Sequence, residues 1–276
     1  MCLFKSGVAI RINESEVLVK TIPLEDSHTK IRENLGMKED NGRPGFARYQ
    51  TPVEAVPCKL DFEDLSCWKF LFDCGRPEWW TDNMTDQALA QLIIAAKSDY
   101  EALLKGEKYK GNLHLKSLKT IPKDFAPTVE GYLYLEGLEV LAEGFAPTVG
   151  GGIRLDSVKK IRKGFAPKVG KDIHLDGLET LPEGFTLTTG GDLNLDGLET
   201  LPEEFALKVG GDLWLNGVTH LSKGFAPTVG ENLYLNALAS IPEGFAPTVG
   251  GHLYLGSIEG IPEGFDLKVG GRVYFG

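Results

Sequence analysis

Aromatic side chains recur every twenty residues in the second half of this 276-residue chain. Large exposed rings are typical anchors of protein interfaces, and flat rings also stack on sugars. The series runs His114, Tyr134, Arg154, His174, Asn194, Trp214, Tyr234, Tyr254 and Tyr274. It predicts a strip of side chains that binds another molecule. The alternative is that ring contacts between strands only stabilise a sheet.

The residues on which we base this predicted binding site are seven members of the series. They are Trp214, Tyr234, Tyr254 and Tyr274, together with Tyr134, Arg154 and His174, which come earlier in the sequence. Four consecutive large aromatic rings exceed what a sheet requires for its own stability, which favours a binding role.

Carboxylate and amide side chains flank the series, two residues away on either side. On one side they are Asp172, Asp192, Asp212 and Asn232, and on the other Glu136, Asp156, Asp176, Asp196, Asn216 and Asn236. Stacked carboxylates about 4.8 Å apart repel, and a cation such as Ca²⁺ would relieve them. The alternative is a set of turns in which these side chains hydrogen-bond the backbone locally. The spacing of calcium-binding nonapeptide repeats is absent, so we predict no metal and no cofactor.

The common catalytic motifs are missing from the sequence. It contains no Walker-type phosphate loop, no H-E-x-x-H and no G-x-S-x-G. The four cysteines, Cys2, Cys58, Cys67 and Cys74, match no zinc-site spacing. A Cys–His pair with His28 would be a candidate nucleophile, but mostly buried, reduced thiols are the favoured interpretation. We therefore predict no catalytic residue.

The elements that position these residues follow from an internal repeat. From Gly111 the sequence divides into eight lines of twenty residues without insertion, and residues 271–276 begin a ninth. Repeat positions 3, 5, 8, 11, 15 and 19 are apolar, except for Thr189 at position 19, and position 15 is phenylalanine in all eight. The Leu-x-Leu at positions 3–5 alternates as a short β-strand does. Proline at positions 12 and 17 opposes a helix, so that side is extended or 3₁₀. The pattern predicts a parallel β-solenoid of eight full coils plus a terminal strand.

The repeat resembles known leucine-rich families. The L-x-L-x-x-L-x-x-[IL]-P skeleton of residues 193–202 is similar to short bacterial leucine-rich repeats, and the turn and strand of residues 209–215 resemble the receptor-L type. The LPEGFxPTVGGxLxL lines resemble arrays in uncharacterised proteins of gut bacteria and their phages. The chain departs from ordinary leucine-rich repeats because only Asn216 and Asn236 approach the place of their regular asparagine. The resemblance implies an interaction scaffold and no particular activity.

Residues 1–108 are predicted to form a small α+β domain, and residues 109–276 the solenoid. The pattern indicates a hairpin around residues 13–15, a short helix over 26–34, with Asp26 or Ser27 as its N-cap and Gly36 at its end, and strands near 47–53, 58–62 and 67–73. Apolar residues at helical spacing then predict an amphipathic helix over about 85–105. The open apolar end of a solenoid needs a cover. We expect this helix, with Trp79 and Trp80, to cover Phe125 and the leucines of the first coil.

Charge and hydropathy exclude some classes of function. The net charge of −10 argues against nucleic-acid binding as the main role. No run of 18 apolar residues is present, and no apolar segment follows residues 1–7, so we expect no membrane span, no secretory signal and a cytoplasmic location.

The predicted function is non-enzymatic binding of a protein partner through the aromatic series. The resemblance to phage proteins implies a sharper version, an inhibitor of a host defence or of a host enzyme. One alternative is effector or enzyme activity in the N-terminal domain, with the solenoid as a targeting module. A second is carbohydrate binding by the aromatic rings. An uncovered sheet edge at Val273 and Phe275 also suggests a homodimer formed through strand pairing.

Overall fold

A small N-terminal α+β region precedes a parallel β-solenoid of about eight coils of about twenty residues. The computed structural model describes residues 5–25, 28–34, 50–58, 60–62, 64–123, 125–162, 164–202, 205–261 and 267–276. This architecture confirms the fold class that the twenty-residue period predicts. No helix among the described residues combines the length and apolar character needed to cross a membrane.

An antiparallel sheet of four strands forms the base of the N-terminal region, in the order β2-β1-β3-β4. The strands are β1 (Lys5–Arg11), β2 (Val17–Lys20), β3 (Gln50–Pro57) and β4 (Trp68–Phe72), and the helices are α1 (His28–Asn34), a 3₁₀ turn (Leu65–Cys67) and α2 (Asp82–Leu104). β1 and β2 form the predicted hairpin, in which the Ile12 N–H donates to the Glu16 carbonyl. The end signals predicted for α1, at residues 26, 27 and 36, lie outside the described residues.

The strand predicted over residues 58–62 is wrong. Cys58 and the described residues 60–62 lie outside the strands. The Asp61 carboxylate accepts the Asp64 N–H, and the Asp64 carboxylate accepts the Ser66 N–H, each at 3.1 Å. Side chains that bond the backbone in this way compete with strand pairing, so the chain turns between β3 and β4.

The long helix α2 packs its apolar face on the N-terminal sheet and reaches the first coil of the solenoid. Its buried residues are Met84, Ala88, Leu92, Ile93, Ala96, Asp99 and Leu103. Near its end the Tyr100 ring stacks on Phe125, with centroids 5.7 Å apart, which confirms the predicted contact. Trp79 and Trp80 instead precede the helix, where Trp80 packs against Phe70 and Phe72 of β4.

The solenoid carries one continuous sheet of nine parallel strands, here called the front sheet. Its strands are β6 (Leu113–His114), β8 (Leu133–Tyr134), β10 (Ile153–Arg154), β12 (Ile173–His174), β14 (Leu193–Asn194), β16 (Leu213–Trp214), β18 (Leu233–Tyr234), β20 (Leu253–Leu255) and β22 (Val273–Phe275). Each residue pairs with the residue twenty positions later, as Trp214 does with Tyr234. The predicted strand and its register are therefore confirmed.

A second run of strands forms two side sheets from repeat positions 16–19. The first contains β5 (Lys108–Tyr109), β7 (Thr128–Val129), β9 (Thr148–Val149) and β11 (Lys168–Val169); the second contains β13 (Thr186–Thr189), β15 (Ala206–Val209), β17 (Thr228–Val229), β19 (Thr248–Val249) and β21 (Lys268–Val269). β13 and β15 are longer because Leu187 and Leu207 replace proline at position 17, and proline has no N–H to donate to a sheet.

The solenoid interior is a set of stacked columns. The leucines of the front sheet are buried, and the phenylalanines at position 15 stack from coil to coil between Phe165 and Phe245. Ring centroids of Phe205 and Phe225, for example, lie 6.1 Å apart at 13°. Glycine at position 20 lets the backbones of neighbouring coils approach closely, because a Cβ on Gly230 would lie only 2.0 Å from the Gly210 carbonyl oxygen.

Candidate functional site

The outer face of the front sheet brings the predicted site residues into one column. Leucines at repeat positions 3 and 5 point inward and are buried, so the residue between them points outward. The seven predicted residues, Tyr134, Arg154, His174, Trp214, Tyr234, Tyr254 and Tyr274, all occupy this position in paired parallel strands. The geometry therefore places them together, although it does not test what they bind.

The last four rings form an ordered stack, here called the aromatic ladder (Trp214, Tyr234, Tyr254 and Tyr274). Neighbouring centroids are 5.5, 4.6 and 4.9 Å apart, with interplanar angles of 2°, 8° and 9°. The first three side chains are half-buried, and Tyr274 is 39% exposed. Because each ring covers the next, Tyr234 and Tyr254 offer ring edges and hydroxyl groups to solvent.

Backbone hydrogen bonds hold the ladder in place. The Leu213 N–H donates to the Asn232 carbonyl at 2.8 Å, and the Leu215 N–H donates to the Tyr234 carbonyl at 2.9 Å. The same pattern repeats one coil later. The rings thus project from a paired sheet, so little backbone freedom remains to be lost when they bind a partner.

The flanking carboxylates and amides form hydrogen bonds between coils. The Asp212 N–H donates to Asp192 Oδ1, the Asn232 N–H to Asp212 Oδ1 and the His252 N–H to Asn232 Oδ1, each at 2.8 Å. On the other side of the ladder the Asn216 N–H donates to Asp196 Oδ1, also at 2.8 Å. These side chains continue the strand ladder beyond the short strands. Within the described residues, no group of three or more His, Cys, Asp or Glu side chains is placed to hold a metal ion.

Burial and a nearby carboxylate act on the Tyr234 hydroxyl of the ladder. Burial, together with Asp212, raises the pKa of Tyr234. Its hydroxyl therefore remains protonated at neutral pH and can donate a hydrogen bond to an acceptor on a partner.

A second, shorter stack lies at the other end of the column and consists of His114 and Tyr134. Their rings are parallel within 2°, with centroids 4.4 Å apart. Lys116 Nζ lies 4.7 Å from the centre of the Tyr134 ring and 2.8 Å from Glu136 Oε1. Burial first, and then the charge of Lys116, lower the pKa of His114 to about 4. The imidazole is therefore neutral at pH 7.

The middle of the column is polar. Arg154, His174 and Asn194 separate the two stacks, and Arg154 Nε lies 4.0 Å from Asp156 Oδ2. Burial and the charge of Asp156 raise the pKa of the neighbouring Asp176 carboxyl. The outer face thus offers two aromatic zones on either side of a charged one.

Two aromatic residues of this face, Tyr132 and His252, were missed by sequence reasoning. Tyr132 reaches across Gly152, and its hydroxyl donates to Asp172 Oδ2 at 3.3 Å. The His252 ring meets Tyr274 edge-on, with centroids 5.5 Å apart. The signal was present, because residues two apart in a strand share a face, and repeat position 2 therefore accompanies position 4.

The cysteine prediction is partly wrong. Cys67 is buried, whereas Cys58 and Cys74 are exposed. Burial and Asp73 raise the pKa of the Cys74 thiol, which is the opposite of what an activated nucleophile requires. Cys2 and the side chain of His28 lie outside the described residues.

Comparisons with known proteins gave no relative. No model of a known protein family matches the chain, and searches of curated proteins and of solved structures found no similar protein. The leucine-rich-repeat resemblance therefore stays a prediction, and the case for function rests on the geometry of the front sheet.

Proposed function

We propose that this protein is a non-enzymatic scaffold that binds a protein partner through the aromatic ladder. The observation that supports this proposal is the in-register stack of Trp214, Tyr234, Tyr254 and Tyr274 on the outer face of the front sheet. Tryptophan and tyrosine are enriched among the residues that dominate binding energy in protein interfaces. A half-buried ring on a paired strand loses little side-chain freedom on binding.

The ladder geometry favours a protein partner over a sugar. Sugars stack on the flat face of an aromatic ring, and both faces of Tyr234 and Tyr254 are occupied by neighbouring rings. What these residues present is a row of ring edges and hydroxyl donors spaced about one strand apart. An extended or flat protein surface with backbone acceptors matches that row.

A capture experiment tests the proposal. The intact protein and a triple variant, Trp214→Ser, Tyr234→Ser and Tyr254→Ser, are used as baits in a lysate, and bound proteins are identified by mass spectrometry. The captured protein is then purified and its Kd measured for each variant. We expect a loss of at least about tenfold in affinity with the serine variant, since interface anchors contribute about 2 kcal/mol or more each.

The matched control keeps the stack and removes its polar edges. The variant Trp214→Phe, Tyr234→Phe and Tyr254→Phe retains three stacked rings, so it should fold as the parent does and lose less affinity than the serine variant. Circular dichroism and thermal melting establish that both variants are folded. Equal affinity of the parent and of a folded serine variant for the partner would refute binding through the ladder.

A further inference from the structure

A pair of cysteines lies where the N-terminal sheet meets the first coil. β3 and β4 pair from Val53 opposite Phe72 to Pro57 opposite Trp68. Beyond the last pair of this ladder, residues 65–67 form the 3₁₀ turn, and the Cys58 N–H donates to the Cys67 carbonyl at 2.8 Å. By standard backbone bond lengths, one N–H···O bond of this length keeps the two α-carbons within about 6.7 Å of each other. Disulfides require α-carbons roughly 4.4–6.8 Å apart.

We propose that Cys58 and Cys67 are a redox-active dithiol that a low-molecular-weight disulfide, such as oxidised glutathione, converts to an intramolecular disulfide. Both side chains are thiols in this structure. Their exposures differ in the way that the reaction requires: Cys58 is exposed to solvent, and Cys67 is buried. The exposed thiol meets the oxidant, and the buried thiol resolves the adduct.

The reaction takes place in two exchange steps. The Cys58 thiolate attacks one sulfur of oxidised glutathione, which forms a mixed disulfide and releases one glutathione thiolate. The Cys67 S–H donates to Asp64 Oδ2 at 3.1 Å, and this carboxylate accepts the proton as Cys67 attacks the Cys58 sulfur. The second glutathione thiolate then leaves. Two protein thiols are oxidised, and one glutathione disulfide is reduced to two glutathione molecules.

The bond would close a ring around a segment that touches the solenoid. Within that ring, the Phe62 side chain packs between Trp68 and Tyr100, at centroid distances of 5.3 and 5.4 Å. Residues 60–62 also line a shallow groove against residues 120–122 of the first coil. The Pro57 carbonyl, next to Cys58, accepts a hydrogen bond from the Ser117 hydroxyl of the same coil. Oxidation would therefore restrict the segment that bridges the two parts of the chain.

Cys74 provides an internal comparison. It is exposed like Cys58, but it lies in the turn that follows β4, whereas Cys67 immediately precedes β4, so the five residues of that extended strand separate the two, roughly 3.3 Å per residue. Exposure alone would favour glutathione adducts on both Cys58 and Cys74. The backbone contact between Cys58 and Cys67 predicts a disulfide for Cys58 and at most an adduct for Cys74.

Peptide mapping tests the proposal. The full chain carrying Cys2→Ser is equilibrated with mixtures of reduced and oxidised glutathione, blocked with an alkylating reagent and digested with trypsin. Trypsin cuts after Lys59 and Lys69, so the disulfide appears as two peptides joined through Cys58 and Cys67 that separate on reduction. We expect this joined pair to be the main oxidised product.

Three variants separate the possible outcomes. Cys67→Ser should accumulate a glutathione adduct at Cys58, because the resolving thiol is gone, and Cys58→Ser should yield no joined peptides. Cys74→Ser, the matched exposed-cysteine control, should give the same joined pair as the parent. A persistent glutathione adduct on Cys58 in the parent, or joined peptides that involve Cys74, would overturn the proposal.

Hydrogen exchange gives a second test, which does not depend on alkylation or on recovery of the joined peptides. Amide exchange in residues 60–66 should slow severalfold in the oxidised protein, while exchange in the distant coil 231–250 stays unchanged. Equal exchange of residues 60–66 in both redox states would contradict a restraint on this segment.

Discussion

The pKa of His114, a residue of the front sheet, depends on the groups that surround its ring. Its ring stacks on Tyr134, and burial with the nearby Lys116 lowers its pKa from 6.5 to about 4, while Glu136 opposes that shift. At pH values between about 4 and 6.5, the unfolded chain binds a proton at this position that the folded chain does not bind. The free energy of unfolding should therefore decrease as the pH falls from about 6.5 to 4, and this contribution should be fully retained above pH 6.5.

The variant His114→Phe tests this prediction, because phenylalanine keeps the stack and does not titrate. As the pH is lowered from 7 to 4, the Tm of the parent should fall relative to the Tm of the variant. Melting curves monitored by circular dichroism at steps of half a pH unit give that difference. Tm curves that run parallel across this interval would contradict the lowered pKa.

The sequence predicts where such residues lie, but not how exposed they are. The twenty-residue period places Trp214 and Tyr234 in one outward column, as observed. Their half-buried state depends on how rings from successive coils lie on each other, and a one-dimensional pattern carries no ring orientation. The same limit explains why Tyr132, which reaches across Gly152, was missed.

At the scale of elements, a buried ion pair joins β1 to α2. Lys5 and Asp99 are 0% and 2% exposed, and Lys5 Nζ lies 2.6 Å from Asp99 Oδ2. Lys5 also donates to the Ile22 carbonyl, and Asp99 Oδ1 accepts the Leu24 N–H. Burial raises the pKa of Asp99, and the charge of Lys5 opposes that shift. The ion pair therefore holds together β1, α2 and the turn that follows β2.

Removing one partner of this pair should be more harmful than removing both. Asp99→Ala leaves an ammonium group buried without its counter-charge, and we expect a loss of about 3–5 kcal/mol in the free energy of unfolding. The double variant Lys5→Met with Asp99→Leu fills the same space with apolar groups and should recover most of that loss. Urea unfolding of the parent, Lys5→Met, Asp99→Leu and the double variant completes the cycle, and Asp99→Ala is measured beside them. A double variant as unstable as Asp99→Ala would argue against a buried charge as the cause.

Sequence patterns predicted some elements and not others, for a physical reason. Helix α2 was predicted because its apolar residues recur on one face. The strand over residues 58–62 was wrong because the side chains of Asp61 and Asp64 bond backbone N–H groups and turn the chain. The Lys5–Asp99 pair joins residues 94 positions apart, and no local pattern indicates such a partner.

At the scale of the whole molecule, the repeat predicted the coils but not the interruption of the side sheet. Within the described residues, β11 and β13 are not paired, although the front sheet continues past them. Thr189, which replaces valine at repeat position 19, lies at this interruption, and its hydroxyl donates to the Lys171 carbonyl. Because every repeat has the same length, the period gives no indication that strand pairing is interrupted in the side sheet.

Among the described residues, strand pairing joins each coil to the coils next to it, so a disturbance at one end should decay along the stack. Tyr100 of α2 covers Phe125 in the first coil, with centroids 5.7 Å apart and an interplanar angle of 30°. In the variant Tyr100→Ala that ring face loses its cover. We expect faster amide exchange in residues 111–130, a smaller increase in residues 131–150 and no change in residues 231–250.

The variant Tyr100→Phe is the matched control, since it keeps the ring that covers Phe125 and removes only the hydroxyl. Its exchange should equal that of the parent in every coil. Hydrogen exchange read by mass spectrometry resolves the coils because the repeats differ in sequence. An increase of the same size in residues 231–250 as in residues 111–130 would mean that the solenoid opens as one cooperative unit. In that case the N-terminal region would stabilise the entire stack rather than the end that it covers.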